Sequence, residues 1–434
     1  MLSMRGVVRA WSAGAMGIVL AVLAVREARA EEAVCAGKVT RENVAGCAVR
    51  ASLAVRAQSE AVEAAKGRRT AAEVVLPSAP VVSVSGAART AAGVGPAVNV
   101  YAELSQEIEI GGQREARQRA AEAGVVAEEK RAAATGRDAG LSGLRAYFEV
   151  IAAIEEVRLA KRVEAAWGRV ETAVLAAEES GGAAGIEAEL ASANALRAMQ
   201  HRLAAERAEK AARTALAGLL GRDASAGPLV VEGELLPVTG AEAAARKAAG
   251  SSGVEPLEVG VLLSEKRAAE AKVEALSRAR VPNLTVSVLV QRDGFDETVV
   301  GLGVSLPIPL PHPATRTNAG EIAEASALAR KAGAEAEGAR RKVQTELATA
   351  AAEMLARKAE VDGVSAEKLA RTEKSFANVT AEMEAGRLSP KEAAGLQQAL
   401  VEVLEAHLAA RRALCLASVE VARAAGLAVE GGAR

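Results

Sequence analysis

The clearest pattern along the chain is an alternation of apolar and polar residues that predicts four β-strands. Every second residue is apolar along Asn283–Gln291 and along the return strand Val300–Leu306, and turn residues separate the two. An earlier pair, Val81–Arg89 and Val98–Leu104, alternates more weakly. These could be two ordinary soluble hairpins, but an isolated hairpin is barely stable in water. We therefore expect the strands to pair with strands of other copies.

Long proline-free stretches follow each strand pair and predict helices. Gln113 to about Ser180 would span about 100 Å as a helix, and the stretch after Asn318 to about Glu384 is equally long. Each long helix is followed by a second predicted helix that runs antiparallel to it, Glu187–Leu220 and Pro390–Ala425, after a turn rich in glycine and serine. Ser389 is the expected N-cap of the last helix, with Pro390 in its first position. The last helix carries one predicted apolar stripe, formed by Leu396, Leu400, Val403, Leu404, Leu408 and Cys415.

The order of elements occurs twice, which indicates an internal duplication. Leu104–Ile110 and Val304–Leu310 occupy matching places about 200 residues apart. The predicted order of elements in each half is helix, strand, strand, long helix, turn, long helix. The predicted fold class is therefore mainly α with a small β part, built from a duplicated unit of two strands and a helical hairpin.

Composition and the N-terminus indicate an exported, elongated protein. Arg5 and Arg9 precede an apolar run, Ala13–Val25, and Ala28-Arg29-Ala30 resembles a cleavage site, so residues 1–30 read as a secretory signal. The alternative, a membrane anchor, needs a run of about 20 residues.

Aromatic residues make up 2% of the chain, too few for a large globular core but compatible with closely packed Ala-rich helices. The 54 basic and 55 acidic residues nearly cancel, which leaves no electrostatic footprint for nucleic acid.

The side chains that carry chemistry form no recognisable catalytic or metal site. His201, His312 and His407 are scattered, and no zinc spacing, phosphate loop or nucleophile motif is present. We therefore expect no enzymatic activity, cofactor or bound metal. In an exported chain, Cys35 and Cys47 are close enough in sequence to close a loop, which would leave Cys415 free.

The chain resembles the outer-membrane efflux proteins, the TolC-like family, over residues from about Arg41 to Gly426. The resemblance depends on the duplication and on four segments: Val100–Gly112 leading into Ala120–Ala123, the glycine turn before Ile186, Gly301–Pro309 leading into Gly320–Ala325, and Gly386–Ser389. The segment from Val304 to Ile322 is most similar to the branch that serves heavy-metal and cation exporters. Few aromatic residues lie near the strands, only Tyr101 and Phe295, which departs from the usual barrel pattern.

The resemblance implies a trimer whose chains contribute four strands each to a twelve-stranded outer-membrane β-barrel, above an α-barrel tunnel in the periplasm. Val286 and Leu302 would then face lipid, and Thr285 and Gly303 the lumen. A periplasmic adaptor protein and an inner-membrane efflux pump would be the partners, and metal cations or small toxic molecules the substrates. The implied segments are 1–30 signal peptide, 31–75 N-terminal periplasmic segment and helix, 76–110 first strand pair, 111–222 first helical hairpin, 223–253 equatorial linker, 254–280 helix of the second repeat, 281–310 second strand pair, 311–426 second helical hairpin, and 427–434 tail.

The resemblance also places functional residues at the two hairpin turns. Glu392 and Gly395 fall where family members narrow the periplasmic entrance with acidic residues, although Gly395 lacks the acid. Three copies of Glu392 could favour cations, or Glu392 could simply be a first-turn glutamate favoured by the helix dipole. The implied adaptor-docking positions are Gly185, Ile186, Gly386 and Leu388. The rival interpretation is a periplasmic adaptor or structural coiled coil.

Overall fold

A computed structural model describes residues 35, 37–91, 94–222, 227, 229–248, 256–292, 294, 297–308, 310, 317–385 and 387–427. The predicted signal peptide, Phe295, His312 and Gly386 lie outside these residues. In chain order the elements are α1 (Arg41–Ala51), α2 (Leu53–Ala72), β1 (Val81–Ala91), β2 (Val94–Ile108), α3 (Gln113–Glu179), α4 (Gly185–Leu219), α5 (Ala241–Ala248), α6 (Leu257–Arg278), β3 (Leu284–Arg292), β4 (Thr298–Ser305), α7 (Ala319–Asp362), α8 (Ala366–Glu384) and α9 (Pro390–Ala424).

The element order confirms the predicted fold class and the duplication. A short helix, a longer helix, two strands, a long helical arm and a return helix occur in that order in each half. The short helix α5 lies inside the segment 223–253, for which the sequence predicted only a linker. No helix among the described residues is both long enough and apolar enough to cross a membrane.

Two compact units share these elements, and some helices contribute to both. The hairpin unit consists of the described residues among Met1–Val55, Gly136–Val254 and Val343–Arg434. The strand unit consists of those among Arg56–Thr135 and Glu255–Lys342.

The strand unit contains one antiparallel sheet in the order β1-β2-β3-β4. The two predicted hairpins are therefore joined within one chain by the pairing of β2 with β3, although the sequence suggested that they would find partners in other copies. The first hairpin is longer than its weak alternation predicted. β2 pairs with β1 between Val94 and Ser105 and with β3 between Val100 and Ile108.

The register of the sheet separates its two faces by polarity. Directly opposed residues lie on the same face, and Val82, Leu104, Val288 and Leu302 form one such row across all four strands. Each of these four side chains is more than 40% exposed, with Leu302 at 83%. The adjacent row on the other face is Ser83, Glu103, Leu289 and Gly301. One face of the sheet is thus apolar and uncovered in the single chain.

The second long arm is interrupted where the sequence predicted one continuous helix. α7 ends at Asp362 and α8 begins at Ala366, whereas α3 runs unbroken through the first repeat. Gly363 lies in this break, and the side chain of Ser365 accepts a hydrogen bond from the amide of Lys368 to start α8. Glycine and an N-cap serine together favour a new helix start over continuation.

The first core cluster of the hairpin unit contains two of the chain's seven aromatic residues. Tyr147 and Phe148 of α3 are fully buried, with ring centroids 5.6 Å apart. The Tyr147 hydroxyl donates a hydrogen bond of 3.1 Å to the carbonyl of Glu232. Burial raises the pKa of the Tyr147 phenol to about 12, so it remains a donor at neutral pH.

The cysteines of the hairpin unit divide into a pair and a free thiol. Cys35 and Cys47 form a disulfide, which closes the loop that their spacing allowed. Cys415 is free and buried. Burial raises the pKa of its thiol to about 12, so the thiol stays protonated and unreactive at neutral pH.

A second core cluster lies where α3, α4, α8 and α9 meet, around Trp167 and Phe376. The buried face of α9 differs from the predicted stripe. Ala393, Val401 and Leu404 are buried, whereas Leu396 and Val403 are 42% and 43% exposed. Leu404 and Cys415 belong to the predicted stripe and are buried, and Ala393 adds a small contact residue that the stripe did not include.

Gln397 occupies this buried face of α9 without the hydrogen bonds that a buried amide requires. It is 0% exposed and lies one helical turn from both Ala393 and Val401. Neither its Nε2 nor its Oε1 has a hydrogen-bond partner among the residues that the structure describes. Buried polar groups are normally paired, and each unpaired one costs about 1–3 kcal/mol.

We expect Gln397→Leu to raise the free energy of unfolding by about 1–3 kcal/mol, because it removes the desolvation penalty and keeps a similar volume. Denaturant unfolding followed by Trp fluorescence measures this change. The matched control is Gln398→Leu, since Gln398 is exposed and donates a 3.0 Å hydrogen bond to Glu402. A loss of stability in Gln397→Leu would mean that the amide is paired in the folded protein.

Candidate functional site at the hairpin tips

The turn between α8 and α9 is held by a reciprocal cap at the start of α9. Ser389 is the N-cap, as the sequence predicted, and its Oγ accepts a hydrogen bond from the amide of Glu392. In return, the Glu392 carboxylate accepts a 3.0 Å bond from the Ser389 amide and a 2.7 Å bond from its hydroxyl. These contacts satisfy amides that the first turn of a helix leaves free.

The same contacts fix the charge of Glu392. Its side chain is exposed, and the hydrogen bonds from Ser389 hold the pKa of its carboxyl below the ordinary value. Glu392 therefore carries a negative charge at neutral pH. Its capping role is now a structural fact, while a role in ion selectivity stays a prediction. Gly395, the companion position, is exposed, and a side chain there would meet no atom within 4 Å.

An ion pair across this turn was not predicted from the sequence. Arg387 donates from its guanidinium to both carboxylate oxygens of Glu382, one of them at 2.9 Å, and its amide bonds to the Glu382 carbonyl. Arg387 also lowers the pKa of the Glu382 carboxyl. The pairing depends on how the turn reverses the chain, so helical spacing gives no signal for it.

The turn between α3 and α4 is built in a similar way with weaker contacts. Gly181 has a φ of +78°, which favours glycine. The Ala184 amide donates a 3.2 Å hydrogen bond to the carboxylate of Glu187, which therefore occupies the place that Glu392 has in the second repeat. Ala188 and Ala393 both belong to the second core cluster, so the starts of both return helices pack in the same cluster.

The predicted adaptor-docking residues differ in how far their side chains are exposed to solvent. Ile186 is 77% exposed although it is a large apolar residue. Gly185 starts α4 and lies close to Glu178, whose carboxylate would be 3.1 Å from an added Cβ. Leu388 is half-buried and packs against the second core cluster. Of these three residues, Ile186 alone presents a large apolar side chain to solvent.

The histidines remain apart in the described part of the chain. His201 lies 4.0 Å from Glu405, and His407 lines a separate cavity with Glu155 and Glu373. No group of three or more His, Cys, Asp or Glu side chains suited to a metal ion is found among the described residues.

Comparison with solved structures identifies the class of fold. The chain is similar to the CmeC outer membrane channel of Campylobacter jejuni, with 15% identity, a TM-score of 0.68, and coverage of 90% of this chain and 86% of CmeC. It is similar to the outer membrane protein VceC of Vibrio cholerae, with 15% identity, a TM-score of 0.65, and coverage of 88% of this chain and 95% of VceC.

A third neighbour is CusC, which has been studied for transmembrane channel formation. The two chains share 14% identity and a TM-score of 0.67, with coverage of 88% of this chain and 91% of CusC. No protein-family model matches this chain, and no curated protein matches it. The structural neighbours confirm the predicted resemblance in fold.

Substitutions at Glu392 can separate its charge from its cap. Glu392→Gln keeps a side-chain acceptor for Ser389 and removes the charge, whereas Glu392→Lys reverses the charge. If three copies of Glu392 surround a pore, we expect cation preference to fall in Glu392→Gln and to reverse in Glu392→Lys, both in single-channel recordings. The difference should fade as salt rises, because exposed charges are screened over about 10 Å at 0.1 M.

Glu187→Gln is the matched control, since Glu187 caps the other tip in the same position. Wild-type selectivity in both Glu392 variants would leave Glu392 with its capping role alone.

Proposed function

We propose that this protein is a passive outer-membrane channel, the exit duct of a tripartite efflux system, and not an enzyme. The observation that carries the proposal is the four-stranded sheet with one exposed apolar face, within a chain that shares its fold with outer membrane channels over most of its length. Apolar surface on this scale is costly in water and is typical of a surface that meets lipid.

The two faces of the sheet suit the two sides of a membrane barrel. The apolar row of Val82, Leu104, Val288 and Leu302 fits a lipid-facing surface. The opposite face carries mainly polar and small residues, among them Ser83, Glu103 and Gly301, with Leu289 as an apolar exception, which fits a water-filled lumen. Small residues such as Gly301 and Gly303 would keep such a lumen open.

The edges of the sheet support a homotrimer. Among the described strands, β1 and β4 each pair on one side only, and an open edge cannot remain unpaired inside a membrane. Pairing β4 of one copy with β1 of the next would close three sheets into a barrel of twelve strands, a size that barrels in the outer membrane adopt. The helical hairpins of the three copies would then form the tunnel in the periplasm.

The hairpin tips are the proposed contact with a periplasmic adaptor, which would connect the channel to an inner-membrane efflux pump. The exposed Ile186 is the strongest candidate for this contact, together with Gly185 and the turn around Gly386 and Leu388. The half-buried Leu388 would contribute through the shape of the turn more than through its side chain. Energy would come from the pump. The proposed substrates are metal cations or small toxic molecules.

The proposed function predicts a trimer that conducts ions without an energy source. Purified protein in lipid nanodiscs should have the mass of three chains, and its insertion into a planar bilayer should give steady single-channel currents without nucleotide or substrate. A folded, water-soluble monomer with no conductance would overturn both the channel and the efflux role.

Lysine substitutions on the two faces of β3 and β4 test the lipid contact. We expect Val286→Lys and Leu302→Lys to make folding into lipid less favourable by roughly 2–4 kcal/mol near the bilayer midplane. Thr285→Lys, on the opposite face, should cost less. Gly303 is a poor control, because an added Cβ would lie 2.5 Å from the Ser287 hydroxyl. Equal losses at Val286 and Thr285 in folding titrations would exclude a lipid–water difference between the faces.

A further inference from the structure

A cavity lies among α3, α8 and α9 in the hairpin unit, apart from both tips. Its volume is about 340 Å³, which is within the range of small-molecule sites. Four leucines form the apolar part of its lining: Leu159, Leu369, Leu404 and Leu408. The rest of the lining consists of charged or titratable side chains from the same three helices.

The charges around this cavity do not cancel. Arg411 pairs with Glu155 at 3.1 Å, and Arg162 lies 3.7 Å from Glu373. Each of the two carboxylates therefore has a positively charged partner. Arg158 also lines the cavity and forms no ion pair or hydrogen bond within the described residues. One guanidinium is therefore left without a counter-charge beside an apolar surface.

His407 is a second residue of the lining with an unsatisfied polar atom. It is half-buried, and its buried Nδ1 has no hydrogen-bond partner in the described part of the chain. The charges of Arg411 on its own helix, of Glu155 on α3 and of Glu373 on α8 act on the imidazole, and Arg158 and Arg162 of α3 line the same cavity. Burial and the Arg411 charge lower the pKa of the imidazole, so His407 is neutral at pH 7.

We propose that this cavity binds a small amphipathic anion, with its apolar body against the leucines and its anionic group between Arg158 and His407. The unmatched guanidinium provides the charge complementarity, and a carboxylate or a related oxyanion is the group that arginine binds best. Cations are disfavoured because both carboxylates of the lining are already paired. The site does not depend on the proposed channel function, since its lining comes from one chain.

Benzoate is a suitable probe, with benzamide as its neutral match. The chain has three histidines, so protein labelled with ¹³C-histidine in nanodiscs gives a simple NMR spectrum that His407→Gln assigns. We expect benzoate to shift the His407 resonance saturably, while the His201 resonance stays in place. Binding of an anion favours the imidazolium, so the pKa of His407 should rise in the complex, and affinity should increase as the pH falls from 8 to 6.

Two variants test the assigned groups against a matched control. Arg158→Ala should weaken benzoate binding about tenfold, as expected for loss of one charged contact. Arg169→Ala removes an exposed arginine three turns farther along the same face of α3 and should leave the affinity unchanged. His407→Gln, followed by the benzoate resonances, should still bind at pH 8 but lose the pH dependence.

Two results would overturn the site. One is an equal His407 shift with benzamide, which would indicate apolar adsorption only. The other is equal affinity in Arg158→Ala and Arg169→Ala. Arg158 is exposed, so its replacement should not disturb folding, and circular dichroism and particle mass verify this. Benzoate binding is measured without any conductance. A failure of the proposed anion site would therefore not count against the proposed channel.

Discussion

The pairing of β2 with β3 is the contact through which the two repeats of the chain form one sheet. Close packing at the ends of these strands reinforces it. Gln113 donates a 2.9 Å hydrogen bond to the carbonyl of Val281, just before β3. Gly111 makes this approach possible, because a Cβ there would lie 2.6 Å from the Cβ of Val281. A single sheet with matched faces follows from this junction, and the proposed lipid and lumen surfaces depend on it.

Local chemistry explains which parts of the fold the sequence predicted. Alternation with a period of two identified all four strands, and Ser389 with Pro390 identified the start of α9, because these signals involve neighbouring residues only. The break at Gly363 and the contribution of Ala393 to the core were missed. The break has a local cause in Gly363 and Ser365, whereas the burial of Ala393 depends on which residues meet another helix. Alanine at a contact is invisible to a pattern based on large apolar residues.

The candidate sites also differ in whether a local sequence pattern predicts them. The cap formed by Ser389 and Glu392 has a sequence signature, namely serine followed three residues later by glutamate. The pair of Arg387 and Glu382 has none, since it spans a turn. The cavity around His407 takes residues from α3, α8 and α9, more than 200 positions apart at the extremes. The sequence correctly placed His407 on the return helix but gave no means to predict that His407 and Arg158 line the same cavity.

The balance of charge in the sequence has a structural role in the hairpin unit. α3 and α9 are linked by three ion pairs: Arg145 with Glu420, Glu149 with Arg412, and Glu155 with Arg411. The residue numbers rise along α3 as they fall along α9, as antiparallel helices require. Partly exposed pairs contribute little stability, so their main effect is to fix the register of the two helices. Arg158 lies one turn beyond Glu155 on the same helix and has no such partner among the described residues. The register contacts therefore stop short of Arg158, and its place beside the leucines of the cavity is the observation that the proposed anion site uses.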